Sequence, residues 1–212
     1  MEFYTEMDSE GIMAEIQPFG KHIFLTGNVQ VGKSTILRKL IEACPEKKLG
    51  GFFTKWINKN NIKTGGLYIF PATRENITVV DRIAAKKQPD PEDANLIAYG
   101  KENMIAGFRP DNYKKKITFP EVFENIGTSY LENAEENDII LMDEIGVFED
   151  KAIAFKKSIL NILDGDTQVI GVVRDKDGIL TNAVKTHPNV KVIDVTIKSR
   201  NEILKQLLEQ LK

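Results

Sequence analysis

The chain is 212 residues long with a formal net charge of −2, and this length suits one domain with a substantial core. The charge balance gives no general attraction to nucleic acid or anionic lipid, and the single cysteine excludes an internal disulfide framework. No apolar run reaches about 18 residues, and the two histidines lack partners at zinc-ligand spacing. We therefore expect neither a membrane span nor a zinc site.

The first twenty residues carry five acidic residues, with neither the cationic start nor the apolar centre of a secretory signal. They are best interpreted as an N-terminal extension, 1–20, ahead of a single domain over 21–212. The cysteine usage favours a reducing compartment, so we expect a cytoplasmic protein. The sequence gives no indication of the oligomeric state.

The most informative motif is a glycine-rich loop between an apolar run at 22–26 and an amphipathic helix at 36–44. It reads G-x-x-x-x-G-K-[ST], the pattern of a phosphate-binding loop. Its residues are Gly27, Asn28, Val29, Gln30, Val31, Gly32, Lys33, Ser34 and Thr35.

The chemistry of this loop is that of anion binding. Backbone N–H groups and the start of the following helix form a nest of partial positive charge that matches phosphate oxygens. We expect Lys33 to reach the β- and γ-phosphates, Ser34 to ligate Mg²⁺, and Thr35 to lie near the α-phosphate. The predicted substrate is a nucleoside triphosphate, with Mg²⁺ as cofactor.

The segment after the loop helix predicts a β-rich insertion over about 50–116. A strand at 48–57, a turn at 58–61 and a return strand at 64–70 are typical of a hairpin. A further extended segment is predicted at 76–83. Residues 84–116 contain several proline and glycine breakers and give no clear element.

A second half of the site is predicted in the segment 138–144, whose apolar run 139–142 is typical of a central parallel strand. It ends in Asp143 and Glu144. Because ligands lie beyond the carboxyl ends of such strands, Asp143 is expected beside the phosphate loop, in the magnesium shell through water. We expect Glu144 to orient or deprotonate the attacking water.

The remaining elements alternate between helix and strand. Helices are predicted at 119–134, 152–163 and 199–211, with strands at 168–173 and 190–196. This alternation indicates an α/β fold, a three-layer sandwich with a mostly parallel sheet and helices on both faces.

Several of these segments, taken together, resemble the small P-loop nucleoside-triphosphatases first described from thermophiles, which have a human relative called the cancer-related nucleoside-triphosphatase. The matching blocks are 27–35, 50–54, 138–146 with Glu149, Phe155, 168–173, 195–196 and 199–201. The resemblance implies a fold like that of nucleotide kinases and RecA-type ATPases. It also implies slow hydrolysis of ATP, GTP and related nucleotides to the diphosphate and phosphate, with Mg²⁺.

The phosphate loop departs from the family pattern at two positions. Family members usually carry glycine in place of Gln30 and often proline in place of Val29. Glycine permits a positive φ that a glutamine side chain opposes by about 1 kcal/mol. The loop is therefore expected either to be strained or to follow a different path.

Three arginines are candidates for contact with the nucleotide. Arg174 follows the strand 168–173 and could stabilise charge on the γ-phosphate, or it could pair in solvent with a nearby aspartate. Arg200 could stack on a purine or start a helix in solvent. Arg109, in the insertion, could close over the triphosphate.

Two other functions are alternatives to hydrolysis. A nucleotide or nucleoside kinase would hold an acceptor in the insertion, but such enzymes gain by excluding water and usually need several arginines that close over the phosphates. This chain has six arginines and no closely spaced pair. A nucleotide-gated binding module would use the insertion to hold a protein or RNA partner.

Overall fold

The computed structural model describes residues 21–58, 65–85, 104–106 and 119–210. The predicted extension at 1–20, most of the predicted hairpin turn and Arg109 lie outside these ranges. Among the described residues, no helix has the length and apolar character needed to cross a membrane.

Within these described ranges, seven strands form one sheet. They are β1 His22–Thr26, β2 Leu49–Asn58, β3 Gly65–Pro71, β4 Met104–Ala106, β5 Ile139–Ile145, β6 Gln168–Val173 and β7 Val190–Asp194. Their order across the sheet is β4-β3-β2-β5-β6-β1-β7. The five strands from β2 to β7 in this order are parallel, whereas β3 and β4 extend the sheet beyond β2 with antiparallel pairing. The mostly parallel sheet and the hairpin of β2 and β3 are thus confirmed.

Helices cover both faces of the sheet, as predicted. They are α1 Lys33–Ala43, α2 Arg74–Ala85, α3 Pro120–Val122, α4 Ile153–Asp164, α5 Ile179–Lys185 and α6 Arg200–Gln210. One core lies between the sheet and α1, α2 and α6. The other lies between the opposite face and α4, α5 and the segment around α3. The α/β three-layer arrangement follows from these two cores.

The central strand β5 illustrates why buried parallel strands have unbroken apolar runs. Ile139 and Leu141 belong to the first core, and Ile140 and Met142 belong to the second. Because successive side chains point to opposite faces, a strand covered on both sides needs apolar residues at every position. The run can stop only at the carboxyl edge, where Asp143 begins the polar segment.

The predicted extended segment at 76–83 is wrong, because these residues belong to α2. The β-branched residues there favour a strand by propensity, but packing overrides that preference. Ile77 and Val80 lie about one helical turn apart and both pack on the first core. Thr73 caps the helix, since its Oγ1 accepts a hydrogen bond from the Asn76 N–H at 3.1 Å.

Two of the helical segments on the other face depart from expectation in different ways. The helix predicted at 119–134 begins at Pro120 but widens into a π-helical stretch, Phe123–Gly127, and ends in a 3₁₀ turn, Ala134–Glu136. Helix α5 was not predicted. Its first amides donate to the carboxylate of Asp150, a cap 29 and 30 residues away that no local pattern indicates.

Candidate functional site

The phosphate loop connects β1 to α1 and contains three residues with positive φ. Gly27 has a φ of 120°, Gly32 a φ of 108° and Gln30 a φ of 66°. A Cβ on Gly27 would collide with the carbonyl oxygen of Val195, so this close approach requires glycine. Of the two alternatives stated for Gln30, the structure adopts the strained one.

Lys33 lies at the first position of α1 with its ammonium turned over the loop. Its Nζ donates to the carbonyl oxygens of Gly27 and Asn28, each at 2.7 Å. Partial burial lowers the pKa of Lys33, while the nearby carboxylates of Glu144 and Asp143 oppose that shift. The loop lysine and the acidic pair, more than a hundred residues apart in the chain, therefore share one electrostatic environment.

A β-bulge places the acidic pair at the end of β5. Met142 pairs with Gly171, but the next pairing joins Ile145 to Val173, so two residues of β5 stand opposite one of β6. Glu144 adopts a φ of 72°, in the left-handed region. In a regular strand, two successive carboxylates would point to opposite faces of the sheet. The bulge breaks that alternation at Asp143 and Glu144.

Both carboxylate oxygens of Glu144 have partners. Arg174 Nη2 donates to Oε1 at 2.9 Å, and Thr54 Oγ1 lies 3.5 Å from Oε2. The Arg174 guanidinium also lies over the ring of Phe148, 5.9 Å from its centroid. From the sequence, Arg174 was expected to contact either the γ-phosphate or a neighbouring aspartate. In the structure its partner is Glu144.

Ser34 and Asp143 line the same cleft, which lies between α1, α2, β2 and β5. Burial raises the pKa of Asp143 to about 7, and the Glu144 carboxylate adds to this rise. The described residues contain no group of three or more His, Cys, Asp or Glu side chains that could hold a metal ion. A cation here would thus have one carboxylate and one hydroxyl as protein ligands.

The far wall of this cleft carries three more charged residues. Asp81 of α2 forms ion pairs with Arg38 of α1 and, at 2.6 Å, with Lys55 of β2. The positive charge of Lys55 stabilises the ionised form of Asp143. These three charged side chains therefore line the same cleft as Ser34 and Asp143.

Arg200 begins α6 and lies against the phosphate loop. Its Cδ is 3.4 Å from the position that a Cβ on Gly32 would occupy. The residue is exposed, and so are Asn28, Val29 and Gln30 on the same side of the loop. The structure thus brings Arg200 to the loop but not into contact with the acidic pair.

Sequence reasoning missed Thr54, Lys55, Asp81 and Phe148. Thr54 directly follows the apolar stretch of β2, so its place at the carboxyl edge of the sheet was a usable signal. Asp81 was hidden by the wrong assignment of α2. Phe148 gave no signal, because its contact with Arg174 depends on how the turn after β5 folds.

Comparison with known proteins agrees with this geometry. A family model described as NTPase matches residues 22–208. The chain is 27% identical over 191 residues to the nucleoside-triphosphatase THEP1 of Thermotoga petrophila, covering 90% of this chain and 92% of that protein. It is 24% identical to the cancer-related nucleoside-triphosphatase homolog of Bos taurus, covering 91% and 97%.

Solved structures agree in fold. The crystal structure of THEP1 from Aquifex aeolicus aligns with a TM-score of 0.63 at 21% identity, covering 90% of this chain and 99% of that chain. The solution structure of a human cancer-related nucleoside triphosphatase aligns at 0.60 with 20% identity, covering 90% and 97%. Because the family model covers most of the chain and the phosphate loop lies within it, this protein belongs to the NTPase family.

Proposed function

We propose that this protein is a Mg²⁺-dependent nucleoside-triphosphatase that hydrolyses ATP, GTP and related nucleotides to the diphosphate and phosphate. The observation that carries the proposal is the meeting of two distant segments. Lys33 of the loop is faced by both Asp143 and Glu144, and Ser34 shares a cleft with Asp143. Relatives that match this chain over about nine-tenths of its length are named nucleoside-triphosphatases.

The residues of the cleft fit a magnesium ion. The Asp143 carboxylate and the Ser34 hydroxyl offer the oxygen ligands that Mg²⁺ prefers, and such sites usually add waters and phosphate oxygens. Burial beside Glu144 makes the ionised Asp143 costly, and a nearby divalent cation would remove that cost. When bound, Mg²⁺ would supply positive charge to the β- and γ-phosphate oxygens.

Glu144 is the proposed general base or water-positioning group. Its place beside Lys33 puts a carboxylate next to the predicted γ-phosphate position, and the bulge aims it out of the regular strand alternation. The Lys33 ammonium and the loop N–H groups would stabilise the charge that develops on the transferred phosphate.

Arg174 is proposed to serve the same reaction from the other side of Glu144. It pairs with Glu144 at 2.9 Å, and its charge also acts on Lys33. A guanidinium this close to the loop lysine is placed to stabilise negative charge in the transition state. Arg200, which lies against Gly32, is proposed to contact the nucleotide base. Cytoplasmic location stays a prediction.

The test is phosphate release from ATP and GTP with and without Mg²⁺. We expect Lys33→Ala and Glu144→Gln each to lower turnover by about 100-fold or more, and chelation by EDTA to abolish it. Lys39→Ala is the matched control, since Lys39 is an exposed lysine of the same helix. Wild-type turnover in Glu144→Gln would exclude Glu144 as the base.

One observation favours a kinase as the second candidate. The cleft beside Ser34 and Asp143 has an apolar floor and the charged group Arg38, Lys55 and Asp81 at its wall. These charged side chains would hold a small polar acceptor next to the predicted γ-phosphate. Incubation with γ-labelled ATP and a panel of nucleosides and monophosphates distinguishes the two functions. Label in a new nucleotide would indicate phosphoryl transfer, whereas label in free phosphate would indicate hydrolysis.

A further inference from the structure

Glu149 is a buried acid that the proposed reaction does not yet use. Only 2% of its surface is exposed, and it begins the 3₁₀ turn Glu149–Lys151 after β5. A carboxylate buried to this extent is costly unless its oxygens are bonded and its charge is balanced. Its neighbours therefore indicate why the chain places an acid here.

Those neighbours belong to residues 143–149, which we call the acidic turn, and to Arg174 beside it. Glu149 Oε2 accepts a hydrogen bond from the Gly146 N–H at 3.1 Å. Burial raises the pKa of Glu149 to about 7, against the opposing effects of backbone N–H groups and of the Arg174 charge. The carboxylate therefore faces the backbone just after the bulge on one side and Arg174 on the other.

Gly146 leaves little space between the two side chains. A Cβ there would lie 3.1 Å from Arg174 Cδ and 3.6 Å from Glu149 Oε2. The Arg174 N–H also donates to the Ile145 carbonyl oxygen at 2.9 Å, so its backbone is fixed to the same segment. The turn, the arginine and the buried acid form one packed unit.

Glu144 needs such a unit. A non-glycine residue in the left-handed region is strained and persists only when its surroundings hold it there. The contacts that fix the residues after Glu144 include the hydrogen bond from Gly146 to Glu149 and the position of the Arg174 guanidinium over the Phe148 ring.

We propose that Glu149 is a positioning residue for the reaction: it fixes the turn after the acidic pair and, with Phe148, holds Arg174 against Glu144. This inference rests on the proposed function. Glu149 does not line the cleft, and its role is to keep the Glu144 carboxylate and the Arg174 guanidinium in position.

The first experiment separates positioning from binding. Glu149→Ala should lower kcat by about tenfold or more while KM stays within about twofold, because the turn moves and the phosphate loop does not. Glu149→Gln keeps an acceptor for the Gly146 N–H and should retain kcat within about threefold. Glu132→Gln, at an exposed glutamate, is the control, and thermal denaturation checks that each variant is folded.

A double-mutant cycle tests whether Glu149 acts through Arg174. In an Arg174→Ala background, Glu149→Ala should cost less than about twofold in kcat, because the group it positions is gone. Effects that multiply instead, or wild-type kcat in folded Glu149→Ala, would overturn the proposal. If Glu149→Ala does not fold, Gly146→Ala probes the same contact, and an unchanged kcat there would overturn it equally.

Amide exchange at Gly146, followed by NMR, is independent of catalysis. Protection should fall at least about tenfold in Glu149→Ala and persist in Glu149→Gln, since only the first variant removes the acceptor. Unchanged protection in both would overturn the inference while leaving the proposed function intact. Wild-type turnover in Lys33→Ala and Glu144→Gln would instead refute the proposed function, and Gly146 exchange would still decide the contact.

Discussion

The phosphate loop and the acidic turn, residues 143–149, each contain a non-glycine residue in the left-handed region. Gln30 has a φ of 66° and Glu144 a φ of 72°. The backbone cost is similar in both places, about 1–2 kcal/mol. What differs is the part of the residue that the site uses.

In the phosphate loop the backbone is the functional group, because N–H dipoles bind phosphate whatever side chain they carry. Gln30 is exposed, and its strain accompanies the binding surface without creating it. In the acidic turn the side chain is the functional group. Glu144 carries its strain because the bulge is what aims its carboxylate. Glycine should therefore have opposite consequences at the two positions.

The largest effect is expected from Glu144→Gly. This change relieves the strained backbone but removes the proposed base, so turnover should fall by about 100-fold or more. The side chains of the lost ion pair with Arg174 are 30% and 35% exposed. Such a pair contributes about 1 kcal/mol or less, so stability should stay near the wild-type value. Phosphate release and thermal denaturation measure the two properties. Turnover within tenfold of wild type would break the comparison.

The next effect concerns the charge held under the acidic turn. Burial raises the pKa of Glu149 from 4.5 to about 7. A raised folded-state pKa contributes stability below pH 4.5 that is lost as pH rises through 7, a difference of about 3 kcal/mol. Glu144 and Arg174, the charged groups facing Glu149, act in opposite directions on it.

Glu149→Gln removes this titration. Relative to wild type, it should therefore gain stability as pH rises from 5 to 8, and the gain should level off above the folded-state pKa. Urea denaturation across that range measures the difference. Glu132→Gln, at an exposed site, should give a flat difference. A flat difference for Glu149→Gln as well would show that this carboxylate titrates normally.

The contrast between the two regions also explains what could be predicted from the sequence. The phosphate loop is local: its glycines, lysine and serine are contiguous, and their spacing encodes the geometry. The apolar run before Asp143 likewise indicated a central strand and its carboxyl edge. Both segments were predicted, as were most strands and the two-faced covering of the sheet.

The geometry of the acidic turn depends on residues that are distant in the sequence. Nothing in Asp143 and Glu144 indicates a bulge, because the left-handed residue is a glutamate and not a glycine. The partners of Glu144 lie 30 residues downstream at Arg174 and 90 residues upstream at Thr54. The prediction of an extended segment in place of α2 was wrong for a related reason. The β-branched residues there favour a strand, and packing against the core makes them helical.

A smaller effect is expected in the phosphate loop. Gln30→Gly should raise the free energy of unfolding by about 0.5–1 kcal/mol, without loss of turnover, because the backbone N–H groups remain. Val29→Gly is the matched control at the exposed neighbour, whose φ is not positive, and it should lower stability instead. Thermal denaturation distinguishes the two. Equal destabilisation by both changes would mean that the strain at Gln30 has no energetic weight.

The smallest effect is expected from Thr54→Val, which removes the weaker of the two contacts to Glu144. The Thr54 hydroxyl lies 3.5 Å from the carboxylate, at the limit of a hydrogen bond, while Arg174 holds the other oxygen at 2.9 Å. We expect kcat to fall less than about threefold, with KM unchanged. Thr186→Val, at the residue that follows α5, controls for loss of a threonine hydroxyl. A fall in kcat as large as that of Glu144→Gly would contradict this ranking. Thr54 of β2, and not Arg174 with Glu149, would then be the residue that positions the Glu144 carboxylate.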